Sequence, residues 1–146
     1  MQNFRDLLVW QKSHQLTLQI YKITKRFPKN ELYGLANQIR RSASSIPTNI
    51  AEGSVQGTDA QFARFLYVAL GSAAELDYQI LLAHELEYID AKEYQQQSSE
   101  IDQIKKMLTA FVRKLKAYSL RLVAKGVRHA FLPFPRATSQ EAPYPI

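Results

Sequence analysis

The sequence predicts an all-α protein, an antiparallel up-down-up-down four-helix bundle with a disordered C-terminal tail. Three observations lead to this prediction. Four long segments repeat apolar residues at steps of three and four, as the buried face of a helix does, and none has the pattern of a strand. Capping residues, prolines and glycines separate these segments. The connections are short, so consecutive helices are expected to lie side by side and antiparallel.

The first helix is predicted over about residues 6–27. Trp10 and Tyr21 widen its apolar stripe on either side. Pro28 is expected to end the helix, because the residue before a proline avoids the α region. The stripe itself consists of Val9, Leu16, Ile20, Ile23 and Phe27.

The second helix is predicted to begin after Asn30 as its N-cap, with Glu31 favourably placed in the first turn. Pro47 falls inside the apolar pattern and removes one main-chain hydrogen bond, so we expect a kink or a break there. Gly53 suits a left-handed C-cap. The predicted buried stripe is Leu32, Leu35, Ala36, Ile39, Ala43, Ile46 and Ile50.

The third helix is predicted to follow Thr58 or Asp59, either of which can cap its N-terminus. No proline interrupts it. Small residues near its middle, including Ala69, Gly71 and Ala73, allow another helix to approach closely. Its predicted buried stripe is Phe62, Phe65, Ala69, Ala73, Leu76, Ile80 and Ala83.

The fourth helix is predicted to start with a capping box formed by Asp90 and Glu93. Its stripe alternates steps of three and four without a fault, which is the spacing of a bundle seam. After Lys125 this pattern stops. The stripe is Tyr94, Gln97, Ile101, Ile104, Leu108, Phe111, Leu115, Tyr118 and Leu122.

These elements divide the chain into a four-helix bundle, residues 1–125, and a Pro-containing flexible tail, residues 126–146. The tail has four prolines among Ser, Thr and Gln, a composition that cannot build a core. Phe131 and Phe134 are its two apolar aromatic residues, and they can still dock on another surface because they are unfavourable in water.

The net charge of +6 is unevenly distributed along the chain. Residues 1–104 hold 10 Lys and Arg against 12 Asp and Glu, whereas residues 105–146 hold 9 against 1. A second basic block lies between residues 22 and 41, where Glu31 is the one acid. This asymmetry favours a polyanionic partner on one face, and an ordinary solvated surface explains the composition equally well.

The sequence contains no pattern of metal ligands. It has no cysteine. Di-metal sites in helix bundles use Glu-x-x-His on two helices, and none of His14, His84 and His129 has a glutamate three residues before it. We therefore expect neither a metal nor a cofactor.

The sequence also contains no catalytic constellation. Ser42, Ser44 and Ser45 have no histidine nearby and no nucleophile-elbow motif around them. Glu75 and Asp77 are two residues apart on a helix, so their carboxylates point to different faces. The interpretation is that the protein is not an enzyme.

Two basic regions are candidates for phosphate contact. One is the hairpin of the first and second helices, and the other is the last part of the fourth helix. Alternatively, these cations form ion pairs with acidic residues of the third helix and do not contact phosphates. The candidates are Lys22, Lys25, Arg26, Lys29, Arg40, Arg41, Lys105, Lys106, Arg113, Lys114 and Lys116.

The stretch LYGLANQIRRSASSIPTNIAEG, residues 32–53, resembles the signature of bacterial four-helix bundle proteins of the 23S rRNA intervening-sequence type. FARFLYVALGSAAEL (62–76) and FRDLLVWQK (4–12) also resemble that family. By this resemblance, the signature includes Arg40, Arg41, Ile46, Pro47, Asn49, Ile50, Glu52 and Gly53. We assign Asn49 and Glu52 a structural role, with Asn49 helping to satisfy the main chain near Pro47 and Glu52 pairing with Arg40 or Arg41.

The family is similar in fold to accessory proteins of diversity-generating retroelements, which form homopentamers with basic surfaces and associate with a reverse transcriptase and nucleic acid. The resemblance therefore implies a homo-oligomer, with a pentamer favoured, and RNA, DNA, a reverse transcriptase or another protein as partners. The leading hypothesis is a self-associating, nucleic-acid-associated adaptor. The alternative is a protein-interaction scaffold without nucleic-acid contact.

The expected location is the cytoplasm, without a membrane partner. The N-terminus lacks the basic-then-apolar order of a secretory signal. The longest charge-free stretches are shorter than a bilayer-spanning helix.

Overall fold

The computed structural model describes residues 2–126. Within this range the chain forms four α-helices and two 3-10 turns, with no strand, which confirms the all-α prediction. The α-helices are α1 (Leu8–Thr24), α2 (Leu35–Ser54), α3 (Asp59–Glu85) and α4 (Ala91–Ala124). The 3-10 turns are Phe4–Asp6 and Lys29–Glu31. The predicted tail lies outside the described residues after Gly126.

Consecutive helices run antiparallel, because contacts between them pair rising residue numbers on one helix with falling numbers on the next. The helix order around the bundle is α1, α2, α3, α4, and α4 also touches α1. Between α1 and α2 the contacting pairs are Thr17–Ala43 and Thr24–Arg40, and between α2 and α3 they are Ser45–Ser72 and Gly53–Phe62. Between α3 and α4 they are Asp77–Lys105 and Asp59–Ser119, and between α1 and α4 they are Lys12–Gln103 and Arg26–Glu93.

The predicted stripes form the core. Each helix contributes fully buried residues, and Phe62 of α3 meets Phe111 of α4 edge-to-face with ring centroids 5.1 Å apart. Leu32 is the main exception: its side chain is 48% exposed, because it precedes α2 instead of belonging to it. Four other predicted stripe residues are only half-buried: Phe65 of α3 and Tyr94, Tyr118 and Leu122 of α4.

The start of α2 differs from the prediction. Asn30 is not its N-cap: Lys29–Glu31 form a 3-10 turn, and Gly34 occupies the N-cap position before Leu35. Glu31 still caps the helix from outside, because its Oε2 accepts a hydrogen bond from the Leu35 N–H at 3.0 Å. Its Oε1 accepts one from the Tyr88 hydroxyl at 3.1 Å, so the carboxylate also links this turn to the segment after α3.

α2 continues through Pro47 without the break that the sequence allowed. Pro47 has no N–H to donate to the carbonyl of Ala43, four residues earlier. Thr17 of α1 replaces that donor, with its Oγ1 3.0 Å from the Ala43 oxygen. A tertiary hydrogen bond therefore compensates for the missing helical one.

Gly53 is not a left-handed C-cap. It is buried inside α2, which ends one residue later at Ser54. A Cβ atom at this position would lie 2.5 Å from Cδ2 of Phe62 and 2.9 Å from Cβ of Phe65. Gly53 is therefore the point of closest approach between the end of α2 and the start of α3.

Both predicted caps of the later helices are present. Thr58 is the N-cap of α3, and its hydroxyl accepts from the Gln61 N–H at 3.2 Å. Asp90 and Glu93 form the capping box of α4. With 34 residues α4 is the longest helix, and its last turns pack beside the first turns of α3, where Ser119 meets Asp59.

Candidate nucleic-acid interface

The first basic cluster lies at the end of α1 and in the turn that follows. Lys22, Lys25 and Lys29 are exposed there. Arg26 is different, because its guanidinium forms an ion pair with Glu93 at the start of α4. The cluster therefore presents three lysine ammonium groups to solvent, beside an arginine whose charge is partly balanced.

Arg40 and Arg41 are adjacent in sequence and differ in environment. Arg40 is held against α1: its Nε donates to the Thr24 hydroxyl at 2.7 Å, and its guanidinium lies 5.2 Å from the centre of the Tyr21 ring. Arg41 is exposed and lines a small polar cleft of about 330 Å³ between α2 and α3. Glu75 lines the same cleft, so it reduces the positive potential around Arg41.

The basic residues in the middle of α4 are paired with acids. Lys105 donates to Asp77 of α3 at 3.1 Å, and Lys106 donates to Asp102 at 2.8 Å. The hydrogen bond and positive charge of Lys106 lower the pKa of Asp102, and Asp102 raises the pKa of Lys106 in return. These two lysines are therefore less available to a phosphate than the unpaired lysines at the end of α1.

Further along α4, Arg113, Lys114 and Lys116 form the second basic cluster. All three side chains are exposed. Lys116 donates to the hydroxyl of Tyr67 at 2.7 Å and lies over its ring. Arg113 borders an open cleft between α3 and α4, beside Leu70 and Thr109.

The two clusters lie at opposite ends of one protomer. Arg26 at the end of α1 contacts Glu93, and Arg113 follows Glu93 by twenty positions on the same helix. At 1.5 Å per residue the clusters are about 30 Å apart along the bundle axis. A single protomer therefore carries two separate basic surfaces.

The signature residues are mainly structural within the protomer. Ile46, Pro47 and Ile50 are buried. Asn49 donates through Nδ2 to the main-chain oxygen of Ser45 at 2.8 Å and to its hydroxyl oxygen at 3.0 Å. Ser45 in turn bonds Ser72 of α3 at 2.8 Å. Asn49 thus fixes a polar link between α2 and α3, and does not satisfy the Ala43 carbonyl.

Glu52 does not pair with Arg40 or Arg41 inside one protomer. It is exposed, and it follows them on α2 by 12 and 11 positions, or about 16–18 Å along the helix axis. Pairing between subunits stays a prediction. No sequence pattern indicates the role of Thr17, because that role depends on which helix packs beside Pro47.

The two histidines in the described range take part in packing. His14 stacks on Trp10 with centroids 5.0 Å apart, and His84 stacks on Tyr94 at 4.7 Å. His84 Nδ1 also lies 3.2 Å from the main-chain oxygen of Ile89. Within residues 2–126, no three His, Asp or Glu side chains are grouped so that they can hold a metal ion.

The solvent-exposed side of α3 carries several apolar side chains. Tyr78 is 64% exposed, and Tyr67 and Val68 are each about half exposed. Gly71 and Ala74 lie exposed between them. α3 is long and apolar enough to cross a membrane by length and composition, a test that the core helix of a soluble protein also passes. Its other face is buried against α2 and α4.

Comparisons with known proteins agree with this architecture. The family model described as 23S rRNA-intervening sequence protein matches residues 5–110. A solved structure from Bacteroides thetaiotaomicron VPI-5482, described as a protein with unknown function from the S23 ribosomal protein family, is 29% identical with a TM-score of 0.66. That match covers 72% of this chain and 98% of the other. No curated protein matches the chain.

Proposed function

The chain belongs to the 23S rRNA-intervening sequence protein family, and from this premise we propose that it is a non-enzymatic, self-associating adaptor that binds RNA or DNA through its basic surface. The non-enzymatic part rests on the sequence, which has no catalytic motif. The proposed location is the cytoplasm.

The observation that carries the nucleic-acid part is the lysine cluster at the end of α1. Lys22, Lys25 and Lys29 are exposed, and none of them forms an ion pair with a carboxylate in residues 2–126. Unpaired ammonium groups on one surface attract phosphates and release counterions when they bind them. Contacts to phosphate carry no sequence information, so the binding is expected to depend weakly on sequence.

Self-association is supported by the exposed face of α3. Val68 and Tyr78 expose apolar area on either side of the small residues Gly71 and Ala74, and exposed apolar surface of this kind marks protein contacts. The family resemblance favours five subunits. In a closed ring, the lysine cluster of one protomer and the Arg113–Lys116 region of the next can form a continuous basic belt.

A second candidate function is a protein-interaction scaffold without nucleic-acid contact. The same α3 face favours it, because an apolar, tyrosine-containing surface suits a protein better than a polyanion. A reverse transcriptase or another protein is the partner class that the resemblance implies. In this case the positive charge serves solubility or docking of an acidic partner.

One pair of measurements separates the two candidates. Light scattering gives the oligomeric state, and fluorescence anisotropy with labelled RNA and DNA of unrelated sequences gives binding at several salt concentrations. The adaptor proposal expects an oligomer whose affinity falls steeply with salt and varies little between sequences. Absence of binding at low salt by a correctly assembled oligomer favours the scaffold.

A further inference from the structure

An apolar groove lies between the first turns of α3 and the last turns of α4. Its volume is about 460 Å³, and nearly all of its surface is apolar. Ala60, Ala63 and Tyr67 form the α3 wall, and Leu115 and Leu120 form the α4 wall. The groove lies at the end of the bundle where the described part of the chain stops.

Several apolar side chains at the groove are largely exposed to water, which is unfavourable for them. Leu120 is 70% exposed, and Tyr67 and the nearby Val123 are about half exposed. Burial of such side chains contributes about 25 cal/mol for each Å² removed from water. The groove is therefore suited to an apolar occupant.

Asp59 adds an electrostatic requirement at the groove wall. Its carboxylate is half-buried and lies 3.4 Å from the Ser119 hydroxyl, which donates to it. No Lys or Arg in the described range forms an ion pair with it. Burial raises the pKa of Asp59, as expected for a carboxylate that lacks a cation. Arg64 and Lys116 also line the groove, and neither forms an ion pair with Asp59. A suitable occupant is therefore mainly apolar and places its positive charge at Asp59.

The chain itself continues with such a sequence. Phe131, Leu132 and Phe134 are apolar, and Arg128 and Arg136 flank them. Pro133 and Pro135 restrict the intervening backbone to extended conformations, which lowers the entropy lost when an extended segment fills a groove. The segment therefore has both properties that the groove requires.

The end of α4 permits this segment to return to the groove. Gly126 has φ of 76°, the left-handed conformation with which a chain leaves a helix axis. Leu120 lies six positions before Gly126, or about 9 Å along the axis. Five extended residues span up to about 17 Å, so Phe131 can reach the groove.

We propose that residues 128–136 of the same chain occupy the groove between α3 and α4, with Phe131 and Phe134 against its apolar walls and one of the two arginines beside Asp59. This segment covers the exposed leucine and tyrosine and supplies Asp59 with a cation, which no residue of the described range provides. The proposal does not depend on nucleic-acid binding.

Cross-linking tests the proposal directly, because the chain has no cysteine of its own. The full chain with Ala60→Cys on the groove wall and Leu132→Cys in the segment contains two thiols. The control pair is Ser99→Cys with Leu132→Cys, since Ser99 is exposed on α4 about 30 Å from Ser119. Mild oxidation is followed by mass measurement under denaturing conditions.

We expect the groove pair to form an intrachain disulfide several-fold faster than the control pair. Adding Phe131→Ser and Phe134→Ser should reduce that rate to the control level, whereas Tyr144→Ser should leave it unchanged. Equal rates for the groove and control pairs overturn the proposal. A product of twice the chain mass also overturns it, because the occupant is then the segment of a second copy.

Discussion

The hydroxyl of Thr17 donates to the main-chain oxygen of Ala43 across the α1–α2 interface, over a distance of 3.0 Å. Ala43 is buried, and Pro47 leaves its carbonyl without the usual helical donor. The Thr17 oxygen also lies 2.8 Å from the carbonyl of Ser13, so one hydroxyl proton is shared between two acceptors. This contact allows a proline inside a continuous, buried helix.

Thr17→Val should therefore destabilise the protein. It keeps the shape of the side chain and leaves the Ala43 carbonyl buried without a donor, which costs about 1–3 kcal/mol. Urea unfolding measures the change in the free energy of unfolding. Thr48→Val is the matched control, because Thr48 is exposed and, among the described residues, its hydroxyl bonds only the Ser44 carbonyl of its own helix.

Pro47→Ala is the second substitution of a double-mutant cycle with Thr17→Val. Alone it should leave the protein folded, because residue 47 then supplies an N–H for the Ala43 carbonyl. The double variant Thr17→Val/Pro47→Ala should be more stable than the sum of the two single effects predicts. Additive effects would show that Thr17 does not act through the acceptor that Pro47 leaves open.

Gly53→Ala should destabilise the protein, although alanine is the better helix former. The added Cβ would lie 2.5 Å from the Phe62 ring and 2.9 Å from Cβ of Phe65, and overpacking of this kind costs about 1–3 kcal/mol. Gly71→Ala is the matched control, because a Cβ there meets no atom within 4 Å. It should stabilise the protomer by about 0.5–1 kcal/mol. Urea unfolding of each variant, at protein concentrations too low for self-association, measures the change in the free energy of unfolding. Equal changes for Gly53→Ala and Gly71→Ala would contradict the packing role of Gly53.

Periodicity was sufficient to predict the helices and most of the core. The stripe of α4 from Ile101 to Leu115 is buried as expected, because burial follows the helix period wherever a helix packs along its length. The capping box of Asp90 and Glu93 was also predictable, since both partners lie within one turn.

Features that depend on a second element were not predictable. From the sequence, Gly53 is typical of a helix C-cap. Only the position of Phe62 in the fold shows that glycine is needed there to let α2 and α3 approach closely. The charges of the candidate site illustrate the same limit. Lys105 and Lys29 look alike in sequence, yet Asp77 on α3 pairs with Lys105, while Lys29 is exposed without an ion pair in the described range.

Ser119→Ala should raise the pKa of Asp59 further, because burial already raises it and the Ser119 hydrogen bond lowers it. A carboxyl with a raised pKa in the folded state holds its proton more tightly after folding. Relative to the unchanged protein, the free energy of unfolding of Ser119→Ala therefore falls as pH rises through the folded-state pKa values of Asp59 in the two proteins.

NMR titration of the carboxyl groups measures both effects. Asp102 is an internal control, because Lys106 lowers its pKa and the substitution at Ser119 does not touch that pair. An unchanged pKa of Asp59 in the variant would contradict the hydrogen bond.

Val68→Glu should abolish self-association. It places a charge on the exposed apolar face of α3, where desolvation on contact with another subunit is unfavourable. Leu18→Glu is the matched control, since Leu18 is about equally exposed and lies on α1. Light scattering should give a monomer for the first variant and the unchanged oligomer for the second. If Val68→Glu assembles normally, the contact surface lies elsewhere.

Both basic clusters should contribute to nucleic-acid binding. Replacing Lys22, Lys25 and Lys29 by Gln should weaken RNA and DNA binding equally for all sequences and flatten the salt dependence by up to about three units if each lysine contacts a phosphate. Replacing Arg113, Lys114 and Lys116 by Gln should have a similar effect if the subunits join the clusters into one belt. Anisotropy titrations at several salt concentrations give the slopes.

Lys105→Gln/Lys106→Gln is the control for net charge, because both lysines are paired with acids. Removing them leaves Asp77 and Asp102 unpaired, so the affinity for nucleic acid falls because these carboxylates repel phosphates. The slope of affinity against salt concentration should change less for each charge removed than in either triple variant. A slope that depends only on the number of positive charges removed would mean that no defined phosphate contacts exist. The nucleic-acid part of the proposal would then be wrong, and attraction by net charge alone would explain the binding.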